Sequence, residues 1–133
     1  MVSTTMHMFP GCEILRSWDL AHWEYCSCVY QQLDSTAAQR LDKGAIYGKG
    51  MWAGSLRIHK GVFHILFICH DTHQSYHFSA SVPEGPWMRH DINGFYYDPS
   101  LLFDGDRVYV AHGNRQIWVT ELTGDLSQQN RAD

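Results

Sequence analysis

Two stretches of this chain, "IHKGVFHILF" and "LFDGDRVYVAHG", share one plan: an apolar strand, a tight turn centred on glycine, then a strand of aromatic and β-branched residues. Each is followed by a third strand, "SYHFSASVPEGPW" in one case and "QIWVTELTGDL" in the other, and "EILRSWDLAHW" near the N-terminus is a further copy. Trp23 and Trp87 close equivalent turns. Units of about four short antiparallel strands, recurring at roughly 40 to 50 residues, are the pattern of propeller blades. Counting the copies gives the end of one blade, a whole second blade and most of a third. A propeller closes its ring only with about four blades or more, so the repeat reads as part of one.

Nine short strands are expected, from Met1 to Thr5 through Gln116 to Leu122, with none between Ser81 and Ser100. Between Tyr30 and Gly50 the polar stretch "QQLDSTAAQRLDKGAIYGKG" reads as a long connection with one helical turn around Ser35 to Leu41. At 133 residues the chain is one domain or a piece of one. Five Trp and seven Tyr suit a β-rich fold or a carbohydrate-facing surface. Net charge is −4 and Lys and Arg are scattered, which argues against nucleic acid or an anionic membrane as partner; no apolar run is long enough to span a bilayer. A soluble protein is expected. "MVSTTMHMFPG" lacks the basic region and apolar stretch of a signal peptide, and the compartment stays open between secreted and cytoplasmic.

Cys12, Cys26, Cys28 and Cys69 lack paired two-residue spacings, so buried free thiols are expected over disulfides or a metal site. In "CHDTH", Cys69, His70, Asp71 and His73 carry metal-ligand chemistry, but a polar turn between two strands gives the same string. No metal and no cofactor are expected.

Four blocks, "FPGCEILRSWDLAHWE", "GKGMWAGSLRIHKGVFHILF", "SASVPEGPW" and "YYDPSLLFDGDRVYVAHGN", resemble glycoside hydrolase family 43 in order and spacing, over nearly the whole chain. Members of that family are five-bladed β-propeller enzymes that act on arabinose- and xylose-containing polysaccharides. The resemblance implies an all-β fold: a partial five-bladed β-propeller of about two and a half blades of antiparallel four-stranded sheets, with residues 1–133 an incomplete propeller domain. It also implies an inverting glycoside hydrolase acting on a carbohydrate substrate. The alternative is a non-catalytic propeller segment that binds sugar or a protein partner.

By its residues alone, Asp98 in "YYDPS" reads as an aspartate capping a turn before a strand, held extended by Pro99. The resemblance implies another role. Inverting glycosidases use one carboxylate to activate water and a second to protonate the leaving oxygen, and Asp98 matches a third, which raises the pKa of the acid. The family's general base is expected just upstream of "MVSTT" and its general acid beyond Asp133, so this segment by itself is expected to be inactive. Glu84 in "PEGP" and Glu121 in "WVTEL" are expected to be solvated surface groups.

Trp52, with Ala53, in "GMWAGS" matches the tryptophan lining the family's substrate pocket; Gly54 stands where the family usually has proline. "MHMFPG" matches a pocket-wall loop, in which Met8 and Phe9 either contact substrate or line core or channel. His70 and Asp71 stand where a blade turn should reach the channel rim. Trp18, Trp23, Trp87 and Trp118 are expected to be packing residues. With blades missing, the flanks "CEILRSW", "VFHILFIC" and "RVYVAH" are expected to be exposed and to drive self-association.

Overall fold

The computed structural model describes residues 1–130, and among them there is no helix, hence none that could cross a membrane. Ten strands form three antiparallel sheets. The first pairs β1 (Val2–Ser3), β2 (Gly11–Arg16) and β3 (Glu24–Tyr30) in that order. The second runs β4 (Ser55–His59), β5 (Val62–Cys69), β6 (Gln74–Ala80) and β7 (Met88–His90). The third runs β8 (Ser100–Asp104), β9 (Arg107–Gly113) and β10 (Ile117–Leu122).

Turn chemistry sets the hairpins. His59 pairs with Val62, leaving Lys60 and Gly61 as a two-residue loop with φ of 48° and 78°. Positive φ at both positions is the type I′ geometry that matches strand twist. Asp104 pairs with Arg107 across Gly105–Asp106, where Gly105 alone has positive φ, at 60°, so the third sheet has a two-residue hairpin with glycine first, as type II′ requires. Lys60 Nζ meets Asp106 Oδ1 at 2.7 Å, so the two turns touch; the pair is exposed and adds little stability.

The second sheet is buried on both faces, which explains why "VFHILFIC" is nearly continuous in apolar residues. Side chains alternate along a strand. Ile65, Phe67 and Cys69 therefore join Cys12, Ile14, Val29 and Tyr30 of the first sheet in one core. Leu66 points the other way and packs with Tyr96, Leu101, Val108 and Val110 of the third. Each such buried side chain contributes roughly 1.5–3 kcal/mol. Buried serines stitch the second and third sheets together: Ser55 Oγ accepts the Leu101 N–H at 3.0 Å and Ser75 Oγ accepts the Tyr96 N–H at 2.9 Å. Trp87 packs on the first core, and its Nε1 donates to Ser27 Oγ at 3.2 Å.

Three expectations need correction. Strand β7 lies in the stretch where none was expected, because three residues are too few to show an alternation; it pairs through His77 with His90 and Ser79 with Met88. The helical turn expected around Ser35 to Leu41 is present as a single turn and goes no further. Arg40 N donates to Thr36 O at 3.0 Å, but left-handed φ at Ser35 (51°) and Leu41 (61°) stops the ladder at either end. The flank "VFHILFIC" is buried between sheets, and Cys12, Ile14, Val108 and Val110 face inward from the other two flanks. What lies open is the far face of the third sheet, with Leu102, Ile117 and Val119 exposed. Finally, Trp18 is 86% exposed and Trp118 56%, so neither is a packing residue in this chain. All four cysteines are free; Cys12 and Cys69 are buried, Cys26 and Cys28 only half so.

Candidate functional site

The segment leading into β4 is held from both sides. Met51 N donates to Met6 O at 2.7 Å, Thr4 Oγ1 donates to Met51 O at 2.8 Å, and Trp52 N donates to Ile68 O at 2.9 Å. His70 N and Asp71 N return bonds to Gly50 O and Lys49 O at 3.2 and 2.6 Å. Met51 thus bridges a loop of the first sheet and the end of β5. This close approach requires a glycine beside it: a Cβ on Gly50 would lie 1.8 Å from Met6 O. Gly54 is different. It avoids the left-handed region, and a Cβ there would make ordinary contacts with Phe67 and Ile65.

So anchored, Trp52 projects at the end of the sheet with part of its ring exposed. Its Nε1 donates to Gly48 O at 3.1 Å, and Gly48 N donates to His7 Nδ1 at 3.4 Å, which ties the tryptophan to the "MHMFPG" loop. The His70 ring stands edge-on to it at 4.3 Å between centroids, and Tyr97 lies 6.0 Å from Trp52 and 5.8 Å from His70. Burial, and then the neighbouring His73, push His70 below the usual imidazole range, so it is neutral at neutral pH. Its Nε2 is buried without a hydrogen-bond partner among the described residues.

Tyr97 is positioned from the third sheet. Gly113 N donates to Tyr97 O at 2.8 Å, while its neighbour Tyr96 turns inward and donates its hydroxyl to Asn93 O at 2.9 Å. Asp98 follows at once and is exposed, in no ion pair with a described residue. Its backbone corrects the expectation of an extended residue before proline: φ is 52°, in the left-handed region. The chain turns here so that Tyr97 faces the aromatic cluster while Pro99 is buried, and aspartate is among the few residues that tolerate this geometry. Sparsely populated backbone of this kind gathers at functional sites.

Trp52, His70 and Tyr97 are therefore brought together, with Asp98 next in the chain. Ala53 is exposed beside Trp52. Met8 and Phe9 lie apart. Met8 is largely exposed, and Phe9 leans on Tyr30 at 6.0 Å, facing the long connection. Asp71 is a loop anchor: its Oδ2 accepts Thr36 Oγ1 at 2.5 Å and Gln39 Nε2 at 3.2 Å, which pins that connection to the β5–β6 turn. Arg89 supports the same loop, bonding Asp34 Oδ1 at 2.7 Å while lying 4.8 Å over the Tyr76 ring, whose hydroxyl donates to Asp34. Glu84 and Glu121 are tied up in exposed ion pairs with Arg16 and Arg107, at 2.6 and 2.5 Å. The members of "CHDTH" take separate partners, Cys69 Sγ facing Lys49 O at 3.6 Å and His73 turned away from Asp71 onto an aromatic ring. Sequence reading overlooked His7 and Tyr97. The aromatic run before Asp98 was the available signal for Tyr97.

A family model described as "Glycosyl hydrolases family 43" matches residues 1–133. A solved structure of a bifunctional GH43-CE protein from Bacteroides eggerthii superposes with a TM-score of 0.92 at 36% identity, over 98% of this chain and 17% of its own. A xylosidase/arabinosidase of Butyrivibrio fibrisolvens is 28% identical over 96% of this chain and 26% of its own. The non-reducing end alpha-L-arabinofuranosidase BoGH43B of Bacteroides ovatus is 27% identical over 87% and 22%. The chain spans about a quarter of the length of the curated relatives it matches.

Proposed function

This chain belongs to glycosyl hydrolases family 43, and from that premise we propose that it is a segment of an inverting hydrolase acting on arabinose- or xylose-containing oligosaccharides or polysaccharides. The fold is all-β and partial, three sheets of the family's five-bladed propeller. We assign them to the end of one blade, a whole second and most of a third. The observation that carries the functional reading is the meeting of Trp52, His70 and Tyr97 beside Asp98, contributed by adjacent sheets at one end of their strands. Partly exposed rings form a platform for the apolar face of a sugar, and the carboxylate beside them makes no ion pair with a described residue.

In this reading Asp98 keeps a neighbouring carboxylic acid protonated: an anion at close range disfavours a second charge, so the acid holds its proton until the leaving oxygen takes it. Trp52, with Ala53 beside it, orients the ring, while Met8 and Phe9 stand apart from the platform. Asp98 cannot by itself supply both proton transfers, and the nearby Asp71 is committed to Thr36 and Gln39. The isolated chain is therefore expected to leave aryl xylosides and arabinofuranosides unhydrolysed. The open face with Leu102, Ile117 and Val119 is where isolated chains are expected to associate.

A chimaera tests the role of Asp98. With this segment replacing the matching stretch of a family xylosidase, Asp98→Asn is expected to lower kcat by about tenfold or more with KM little changed, since the modulator acts in the transition state. An unchanged kcat with a raised KM would make Asp98 a sugar contact instead.

A further inference from the structure

We propose that Ser55 and Arg57 are positioning residues for Asp98: two side chains of β4 that hold the first two residues of β8 and so set where the carboxylate just ahead of them stands. This rests on the modulator reading of Asp98 above and deepens it, since it names what gives that carboxylate its place.

Asp98 has no anchor of its own. It is exposed, and its side chain makes no hydrogen bond or ion pair with a described residue, so the backbone on either side must fix it. Ahead of it, Gly113 N donates to Tyr97 O at 2.8 Å. After it, Pro99 has no N–H to give, so the first residues that can be tied through the backbone are Ser100 and Leu101. They pair with Ala111 and Val110 of β9, but the other edge of β8 has no strand beside it in its sheet, and β4 is likewise an edge of the second sheet.

Side chains of β4 close that gap. Ser55 and Arg57, two residues apart on one strand, share a face. Ser55 Oγ accepts the Leu101 N–H at 3.0 Å, and Ser55 is buried. Arg57 Nη2 donates to Ser100 Oγ at 3.3 Å while its Nη1 donates to Leu56 O at 2.8 Å, so the planar guanidinium is braced on its own strand. The left-handed φ of 52° at Asp98 is a second observation. Backbone of that kind persists where its surroundings over-determine it, and here the restraints lie on both sides. Place matters for the role, because the repulsion between two carboxyl groups falls with distance: a displacement of about 1–2 Å would lower the acid's pKa by about half a unit.

The pH profile of the chimaera described above tests this. The acid must hold its proton, so kcat falls on the alkaline side as that proton is lost. Arg57→Met and Ser55→Ala are each expected to move the alkaline limb down by about half a pH unit, cutting kcat about threefold above it with KM little changed, and Ser55→Thr, which keeps the hydroxyl, to restore it. In an Asp98→Asn background neither should lower kcat further. Arg57 is exposed, so Arg57→Met is expected to fold even where Ser55→Ala does not. A limb that stays in place, a limb that moves up as it would on removing a cation beside the acid, or a loss that adds to that of Asp98→Asn overturns the inference while the modulator reading stands. If Asp98→Asn alone leaves kcat unchanged, the modulator reading fails and takes the inference with it.

Discussion

Gly50→Ala is expected to abolish the cooperative unfolding transition of this chain. The new methyl carbon would lie 1.8 Å from the carbonyl oxygen of Met6 and 2.8 Å from His7 Cα, and both are backbone atoms that cannot rotate away. Relief means separating Met51 from Met6, which breaks the 2.7 Å bond between them and exposes a methionine that is wholly buried. The cost is about 4 kcal/mol or more, a large part of the stability of an ordinary domain. Gly124→Ala is the matched control, because nothing lies within 4 Å of a Cβ there. Its midpoint should stay within about 0.5 kcal/mol of the starting chain. Denaturant melts followed by near-ultraviolet circular dichroism distinguish the two. A Gly50→Ala transition as sharp and as late as that of Gly124→Ala would mean that the loop of the first sheet is not stitched to the segment carrying Trp52.

Acid is expected to loosen the contact between the second and third sheets well before carboxylates titrate. His77 is 2% exposed on β6, and its Nε2 lies 3.1 Å from Nδ1 of His64, with His90 stacked at 4.8 Å on the other side. Its Nδ1 has no hydrogen-bond partner among the described residues. Burial first, then the imidazoles of His90 and His64, hold the His77 pKa down at about 3, against a weak opposing pull from Asp125. Between an ordinary imidazole value of about 6.5 and that depressed one, the unfolded chain binds a proton that the folded chain refuses. Stability is therefore full above about pH 6.5 and falls as pH drops toward 3. The loss over that range is on the order of 5 kcal/mol. His64, also lowered by burial, adds to the same slope. Carboxylates held low by hydrogen bonds, Asp19 and Asp125 among them, lose their contribution only further down, so the window from about pH 6.5 to 4.5 isolates the histidines. His77→Leu should flatten the slope there. A slope that His77→Leu leaves unchanged would place the acid sensitivity elsewhere.

The sheets were legible because glycine turns and alternation are local signals. "HKGV" and "DGDR" contain the residues that two-residue hairpins require, and strands on either side follow within a residue or two. What escaped was set by context. Nothing in "MRH" announces a strand, since β7 exists only because β6 offers it an edge. The long connection has helix-forming composition but is held by tertiary bonds, Thr36 and Gln39 to Asp71 and Asp34 to Tyr76 and Arg89, which limit it to turns. In the site, Trp52 could be found by its motif. Tyr97 could not be separated from Tyr96, because which of two adjacent tyrosines faces inward depends on backbone bonds to Ser75 and Gly113. Pro99 suggested an extended Asp98, and the need to bury that proline while turning Tyr97 outward overrides the local preference.

The claim that matters most is that Trp52 is the sugar platform of this segment. The chain has five tryptophans, each with an indole N–H, and that of Trp52 alone donates to Gly48 O, at 3.1 Å, beside His70 and Tyr97. The decisive measurement is a titration of the 15N-labelled chain with xylose and with arabinose, following the five indole resonances. The Trp52 resonance is expected to shift in a saturable way while those of exposed Trp18 and Trp118 stay still, and Tyr97→Ala should weaken the response. A Trp52 resonance that does not move at saturating sugar, or shifts confined to Trp18 and Trp118, would contradict it.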